Sequence, residues 1–170
     1  MEVTKEIIVN QPIQAVWEVL GNQYTDAYKW ARGLYHSQGS GSPTIEGATC
    51  SNRTCDTSFG RIQEEIKTFD SQNYILAYEV IKGFPGFIKQ GINTWRLSKS
   101  DVGSTKVSMR FTAETKGFLG LVMGPMMKMQ LNKGLGEVLN DFKHYVETGQ
   151  QSPEKIKDNE KNVKKLKQAA

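Results

Sequence analysis

The sequence lacks the short motifs that usually identify an enzyme, a zinc protein or a nucleotide-binding protein. Its two cysteines, Cys50 and Cys55, fit neither a C-x-x-C motif nor a zinc site, and no second pair completes a four-ligand set. No glycine-rich phosphate-binding motif occurs, and neither His36 nor His144 has a nucleophile placed beside it. These absences exclude the familiar signatures of nucleotide, zinc and nucleophile chemistry, and we expect no metal and no cofactor.

Long apolar runs are also missing. No window reaches the roughly 18 apolar residues that a membrane-spanning helix needs, and the first residues, MEVTKEIIVNQ, contain no apolar signal core. The composition, 38% hydrophobic and 24% charged, is typical of a soluble globular protein, and 170 residues suffice for one domain with a sizeable core. We therefore predict a cytoplasmic protein without a transmembrane segment.

The net charge of +4 is concentrated at one end of the chain. Residues 151–170 contain six lysines against three acidic residues, which leaves only +1 for residues 1–150. A nearly neutral body does not resemble a phosphate-binding surface, so we expect no nucleic-acid partner.

The lysine-rich end is predicted to be a tail at 150–170, outside a main domain at 1–149. Ser152 and Pro153 fit the start of a helix. The apolar positions that could form a stripe on such a helix are Ile156, Val163 and Leu166. Two interpretations stay open: a solvated, partly disordered extension, or a basic amphipathic helix that makes peripheral contact with an anionic membrane.

The hydrophobic pattern predicts a strand at 3–9, two short helices, a series of strands and one long helix. Pro12 opens the first helix, which Gly21 ends, and the second covers 24–31. Strands separated by turn-rich segments are predicted at 48–55, 61–69, 74–82, 88–98 and 106–115, with a further short strand at 34–38. The long helix is predicted at about 125–147.

This order of elements predicts an α+β fold. About six or seven antiparallel strands without covering helices must curve around something, and the C-terminal helix is the element available to fill the curve. Because one helix does not fill it completely, we expect a hollow between sheet and helix.

The chain resembles the START-like helix-grip (SRPBCC) superfamily, and within it the polyketide cyclase/dehydrase and lipid-transport proteins. The resemblance covers about residues 2–147. It rests on NQPIQAVWEVLG after the first strand, R-T-C at 53–55, GRIQEEIKTFD at 60–70, INTWRL at 92–97 and the closing long helix. It implies an apolar cavity between a curved sheet and the C-terminal helix.

Methionines are concentrated in GFLGLVMGPMMKMQ, residues 117–130. Methionine adapts to irregular apolar volumes and to varied partners. We interpret the stretch as wall and lid for a hydrophobic guest, while plugging of the core and a Cu(I)–thioether site are the alternatives. The predicted ligand contacts from this stretch and the helix behind it are Met123, Met126, Met127 and Leu131.

Glu64 is the most informative charged residue. It shares a strand face with Ile62 and Ile66, so a carboxylate is predicted to point into an apolar space, with Arg53 of the preceding strand as its partner. The resemblance to abscisic acid receptors within the superfamily implies that Glu64 helps to hold the polar end of a ligand through water. The alternative is a cross-strand ion pair at the rim of the sheet.

Other residues are predicted to complete an amphipathic wall. Tyr78, Asn93 and Trp95 alternate with outward-facing residues on neighbouring strands, although Trp95 could be plain core. Tyr28 is predicted near the entrance, and Phe87 follows a GFPG loop that is either a gate or merely a turn.

Three functions remain compatible with these patterns. The first is binding or transport of a small hydrophobic molecule such as a lipid, fatty acid or polyketide. The second is a cyclase or dehydratase in which Glu64 is the base and Tyr78 or Arg53 stabilises an enolate. The third is a structural or interaction domain with a filled core.

Overall fold

The computed structural model describes the backbone of residues 1–169 and the side chains of residues 1–118 and 122–164. Seven strands form one antiparallel sheet in the order β1-β7-β6-β5-β4-β3-β2. Their bounds are Glu2–Val9 (β1), Leu34–Ser40 (β2), Asn52–Thr57 (β3), Gly60–Asp70 (β4), Ile75–Lys82 (β5), Ile88–Lys99 (β6) and Thr105–Thr115 (β7). The predicted α+β arrangement, with a long C-terminal helix packed against an antiparallel sheet, is confirmed.

Two short helical segments follow β1. Helix α1 covers Ile13–Trp17 and continues as a π-helical turn at Glu18–Asn22, and a 3₁₀ helix follows at Tyr24–Lys29. The inward residues of both segments, including Trp17 and Tyr24, are buried against the sheet. The two predicted short helices are therefore present, although the first ends with wider turns than an α-helix.

The long helix α2 covers Gly117–Thr148 and begins earlier than predicted. The sequence suggested a start at Pro125, because proline is favoured in the first turn of a helix. In the structure Pro125 lies inside the helix, where it removes one backbone hydrogen bond. The helix ends as predicted at Gly149, whose positive φ of 71° suits a helix C-terminus.

The second half of α2 packs tightly on the sheet and on the short helices. Leu135, Leu139 and Phe142 are all buried. The ring of Phe142 lies 4.9 Å from that of Trp30 and 5.6 Å from that of Trp95, measured between centroids. This aromatic cluster occupies the volume at that end of the sheet–helix interface.

Strand β3 begins later than predicted, because residues 48–51 lie outside the sheet. Cys50 therefore precedes the strand and Cys55 lies within it. Both thiols are buried and unpaired.

Helix α3 covers Pro153–Ala169. Ser152 caps it as predicted, since its Oγ accepts a hydrogen bond from the backbone N of Lys155 at 3.0 Å. The side chain of Leu166, part of the predicted apolar stripe, lies outside the described residues. Among the helices of the described part of the chain, none combines the length and hydropathy of a membrane span.

The start of α3 is bound to the body of the protein. Lys155 is buried and its Nζ donates to the carbonyl of Leu34 at 2.6 Å, while Asp158 accepts from the backbone N of Gly33 at 2.7 Å. Buried Asp141 on α2 accepts from both Arg32 and Ser152. The first turns of the lysine-rich segment are therefore a helix docked on the body of the protein, an arrangement that neither interpretation of the sequence included.

Candidate functional site

A buried ion pair lies on the inward face of the sheet. Arg53 on β3 faces Glu64 on β4 in register, and the side chains are only 4% and 7% exposed. Arg53 donates to Glu64 Oε2 from Nε at 2.8 Å and approaches it from Nη2 at 2.6 Å. The pairing predicted from the sequence is present, and the alternative of a pair at the rim of the sheet is wrong.

Aromatic and thiol groups enclose this pair. The guanidinium of Arg53 lies 3.8 Å from the centroid of the Tyr24 ring and donates to the Tyr24 carbonyl. The Tyr24 hydroxyl donates to Glu64 Oε2 at 3.3 Å, and the Cys55 thiol contacts the same oxygen at 3.5 Å. Within the described residues every hydrogen bond accepted by Glu64 goes to Oε2, so Oε1 is the oxygen that remains for another molecule.

Burial determines the protonation of the neutral groups. It raises the pKa of Tyr78 to about 12 and the pKa of Cys55 to about 12, and it raises the pKa of Tyr24 well above its ordinary value. Burial alone lowers the pKa of Arg53, but the Glu64 charge and the neighbouring groups raise it well above its ordinary value. At neutral pH the site therefore contains protonated phenols and an un-ionised thiol, which suits hydrogen-bond donation and not thiolate nucleophilic attack.

A second polar group lies next to the ion pair. Tyr78 on β5 is directly opposite Asn93 on β6, and its hydroxyl accepts from Asn93 Nδ2 at 2.8 Å and from Trp95 Nε1 at 3.3 Å. The rings of Tyr78 and Tyr24 lie 5.5 Å apart, which joins the two groups into one cluster. The structure thus brings together five predicted site residues on one face of the sheet. They are Arg53, Glu64, Tyr78, Asn93 and Trp95.

The enclosed space beside this cluster is small. It measures about 20 Å³, which is room for about one water molecule. Its wall consists of Leu20, Tyr24, Ala27, Trp30, Arg53, Leu76, Tyr78 and Trp95. These residues come from the sheet and the short helical segments, so the space is not walled by α2 as the sequence suggested. A surface groove of about 400 Å³ is lined only by residues between 151 and 164 and does not belong to this face.

The loop between β5 and β6 covers the other part of the inward face. Phe84 lies over Gly91, and a Cβ placed on Gly91 would be 2.3 Å from Phe84 Cε2 and 3.2 Å from Phe111 Cζ. Glycine is therefore required at 91 for the phenyl ring to rest there. Phe87, which was predicted to contact a ligand, is half-buried, and its carbonyl accepts from the backbone N of Lys116 at 2.8 Å.

The predicted methionine contacts divide between two sides of α2. Met123, Met127 and Leu131 are half-buried, and Met127 and Leu131 continue the face that holds Leu135. Met126 belongs instead to an outer apolar stripe. Its members are Phe118, Val122, Met126 and Met129, which are exposed by 43% to 78%.

Tyr28 lies apart from the cluster. Its ring contacts that of His36 on β2, with centroids 5.8 Å apart, and it does not line the enclosed space. No group of three or more histidine, cysteine, aspartate or glutamate side chains in the described part of the chain is arranged to hold a metal ion.

Residues 1–147 match the family described as polyketide cyclase / dehydrase and lipid transport. The chain belongs to this family. Membership implies a small hydrophobic ligand without identifying it. The search of curated protein sequences found no significant match.

Solved structures share the fold at low sequence identity. A START superfamily protein from Mycobacterium smegmatis aligns with a TM-score of 0.70 at 14% identity, over 86% of this chain and 97% of its own. The Zhui aromatase/cyclase from Streptomyces sp. R1128 aligns at 0.69 and 16%, over 86% and 93%. The protein XoxI from Bacillus cereus aligns at 0.68 and 14%, over 85% and 94%. At these identities the similarity shows the START-like fold alone.

Three residues of the site were not predicted as ligand contacts from the sequence. Tyr24 and Trp30 were assigned to the second short helix, and Phe84 belonged to the GFPG loop, for which both a gate and a turn were left open. Gly91 carried a usable signal for Phe84, because an isolated glycine within a strand often marks close approach by another group.

Proposed function

We propose that this protein binds a small hydrophobic molecule, of the lipid, fatty-acid or polyketide kind, between the inward face of the sheet and the first half of α2. The supporting observation is the change in burial along α2. Phe142, Leu139 and Leu135 are buried, whereas Leu131, Met127 and Met123 are only half-buried. The helix therefore closes the interface at one end and leaves its apolar residues only partly covered at the other.

A ligand requires this face to open further. Pockets for small molecules usually have roughly 300–1,000 Å³, while the enclosed space here has about 20 Å³. Displacement of Phe84 would open this face, because its ring rests on Gly91, which has no side chain. The described conformation is thus the closed form, and movement of the GFPG loop uncovers Gly91 and Phe111.

The cluster around Arg53 and Glu64 supplies the polar end of the site. A buried ion pair contributes little to stability compared with apolar residues of the same size. Its position beside an apolar wall is consistent with a role in orienting the polar group of a ligand, through Glu64 Oε1 or through a bridging water.

The enzymatic alternative uses the same residue. In a cyclase or dehydratase, Glu64 Oε1 would take a proton from the substrate, since Oε2 is held by Arg53. Glu64→Gln separates the two functions: turnover of a polyketide substrate would be abolished, while binding by a carrier would weaken only moderately.

Native mass spectrometry of the freshly purified protein tests the proposal, followed by organic extraction of any adduct. We expect an apolar adduct of a few hundred daltons that Met127→Glu abolishes, while the matched Met129→Glu on the outer, 68% exposed position retains it. The absence of an adduct, together with no binding of fatty acids or naphthols up to their solubility limits, would leave a domain with a filled core.

Cytoplasmic location and membrane contact through α3 stay predictions. Lys155 is buried and cannot contact lipid, but Ile156 and Val163 are about half exposed beside Lys164. Flotation with vesicles containing phosphatidylserine tests the contact. Ile156→Asp should abolish flotation if the exposed face of α3 binds the membrane. It should leave flotation unchanged if this face makes no contact with lipid.

A further inference from the structure

Asn93 has a buried hydrogen-bonding atom without a partner. The residue is 6% exposed and faces inward on β6, between Gly91 and Trp95. Its Nδ2 donates to the Tyr78 hydroxyl, but Oδ1 has no hydrogen-bond partner among the described groups of the protein. Since a buried carbonyl without a partner is costly, such an atom often marks a binding position.

One unused donor lies next to the Asn93 amide, and a second lines the adjacent space. The Tyr78 hydroxyl accepts two hydrogen bonds and donates none within the described part of the chain. Trp30 Nε1 is also buried without a partner there, and both Trp30 and Tyr78 line the enclosed space. Asn93 does not line this space itself but is bonded to the hydroxyl of Tyr78, which does. Together these uncharged groups offer one acceptor and two donors.

The neighbouring cation is not available to a ligand. Each nitrogen of Arg53 is engaged, with Nε and Nη2 on Glu64 and Nη1 on the Tyr24 carbonyl. An acidic ligand would meet no free positive charge here, and the Glu64 carboxylate would repel it. The chemistry of the wall disfavours a carboxylate and favours a neutral polar group.

We propose that the ligand carries a hydroxyl group, as an alcohol or a phenol, that pairs with the Asn93 amide. This inference rests on the proposed function. A hydroxyl can donate to Asn93 Oδ1 and accept from Tyr78 or Trp30. If the Asn93 amide rotates by 180°, the hydroxyl can accept from Nδ2 instead, so it fits both orientations. Its apolar part takes the position of Phe84 over Gly91, the adjacent inward residue on β6.

Three probes of one shape test the inference: 2-naphthol, 2-methylnaphthalene and 2-naphthoate, with binding measured by naphthalene fluorescence. One hydrogen bond to a buried partner corresponds to a preference of about fivefold to tenfold. We expect this preference for 2-naphthol over 2-methylnaphthalene in the natural protein, and less than about twofold in Asn93→Leu. Thr94→Val, on the opposite face of the same strand, should retain the preference.

The outcomes separate this inference from the proposed function. If 2-naphthol and 2-methylnaphthalene bind equally, or 2-naphthoate binds best, the hydroxyl inference is overturned while hydrophobic binding stands. If no probe binds, both fail. If Asn93 only holds an internal water, Asn93→Leu will lower the melting temperature and leave the probe ratio unchanged, which also overturns the inference.

Discussion

Replacing one member of the Arg53–Glu64 pair will destabilise the fold more than replacing both. The Arg53→Met variant leaves a buried carboxylate without its cation, and Glu64→Leu leaves a buried guanidinium against the Tyr24 ring, 3.8 Å from its centroid. Burial of the two side chains, 4% and 7% exposed, removes the solvent screening that weakens surface pairs. The double variant replaces the pair with apolar residues of similar size.

The expected magnitudes follow from this burial. Breaking a buried pair costs about 3–5 kcal/mol, whereas replacing both charges by apolar groups is about neutral or stabilising by up to about 4 kcal/mol. A domain of this size has a free energy of unfolding of about 5–15 kcal/mol, so each single variant loses a large share of it. We expect a coupling free energy of about 3 kcal/mol or more between the two positions.

Urea unfolding at pH 7, followed by circular dichroism, measures the four free energies. The exposed pair Arg61–Asp56, with side chains 73% and 38% exposed, is the control, and its double-variant cycle should show little coupling. If the free energy of unfolding of the double variant is as low as that of the less stable single variant, the argument is refuted. The loss of stability would then come from packing and not from an uncompensated charge.

Three further predictions concern the loop, the docked helix and the thiol. Gly91→Ala will cost about 1–3 kcal/mol of unfolding free energy by displacing the Phe84 ring, and Phe84→Ala in the same chain will restore most of it; no rescue would mean that the ring does not rest there. Burial lowers the pKa of Lys155 to about 8 from 10.5; between these values the unfolded state holds more protons, so stability rises with pH. Measured by urea unfolding, the free energy of unfolding of the natural protein should rise between pH 7.5 and pH 10 by roughly 1–3 kcal/mol more than that of Lys155→Met. An equal change in the two proteins would contradict this. Because burial raises the pKa of Cys55 to about 12, its thiol should react with iodoacetamide at pH 8 only after unfolding, and mass spectrometry of tryptic peptides would detect earlier labelling.

The parts of the fold that local patterns determine were predictable from the sequence. In β7 the residues Val107, Met109 and Ala113 alternate with polar ones and are buried, as is Thr105 at the start of the strand. The inward orientation of Glu64 followed from the same period, because its position between Ile62 and Ile66 was enough to assign the face. Arg53 was predicted as its partner because adjacent antiparallel strands place facing side chains together.

The parts that depend on tertiary contacts were not predictable in this way. Nothing local indicates that α2 continues through Pro125, since a proline disfavours the helical conformation in the residue before it and removes a backbone hydrogen bond inside a helix. The docking of α3 depends on buried Asp141 of α2, which contacts Ser152 only after the chain has folded. Whether Asn93 Oδ1 has a hydrogen-bond partner depends on which donors the fold places around it, and a periodic pattern carries no such information.

The two sides of the methionine-rich half of α2 bear on how the proposed binding site would open. The inner side, with Met127 and Leu131, is half-buried, while the outer stripe that includes Met129 is exposed. The described side chains of this half are therefore less buried than Leu135, Leu139 and Phe142. The second half is anchored by Phe142 within the aromatic cluster. Elements with few buried contacts open at low free-energy cost, and flexible methionine side chains can repack around a guest without a change of backbone. In the proposed binding mode, the first half of α2 adapts to the ligand together with the GFPG loop, while the second half holds the fold.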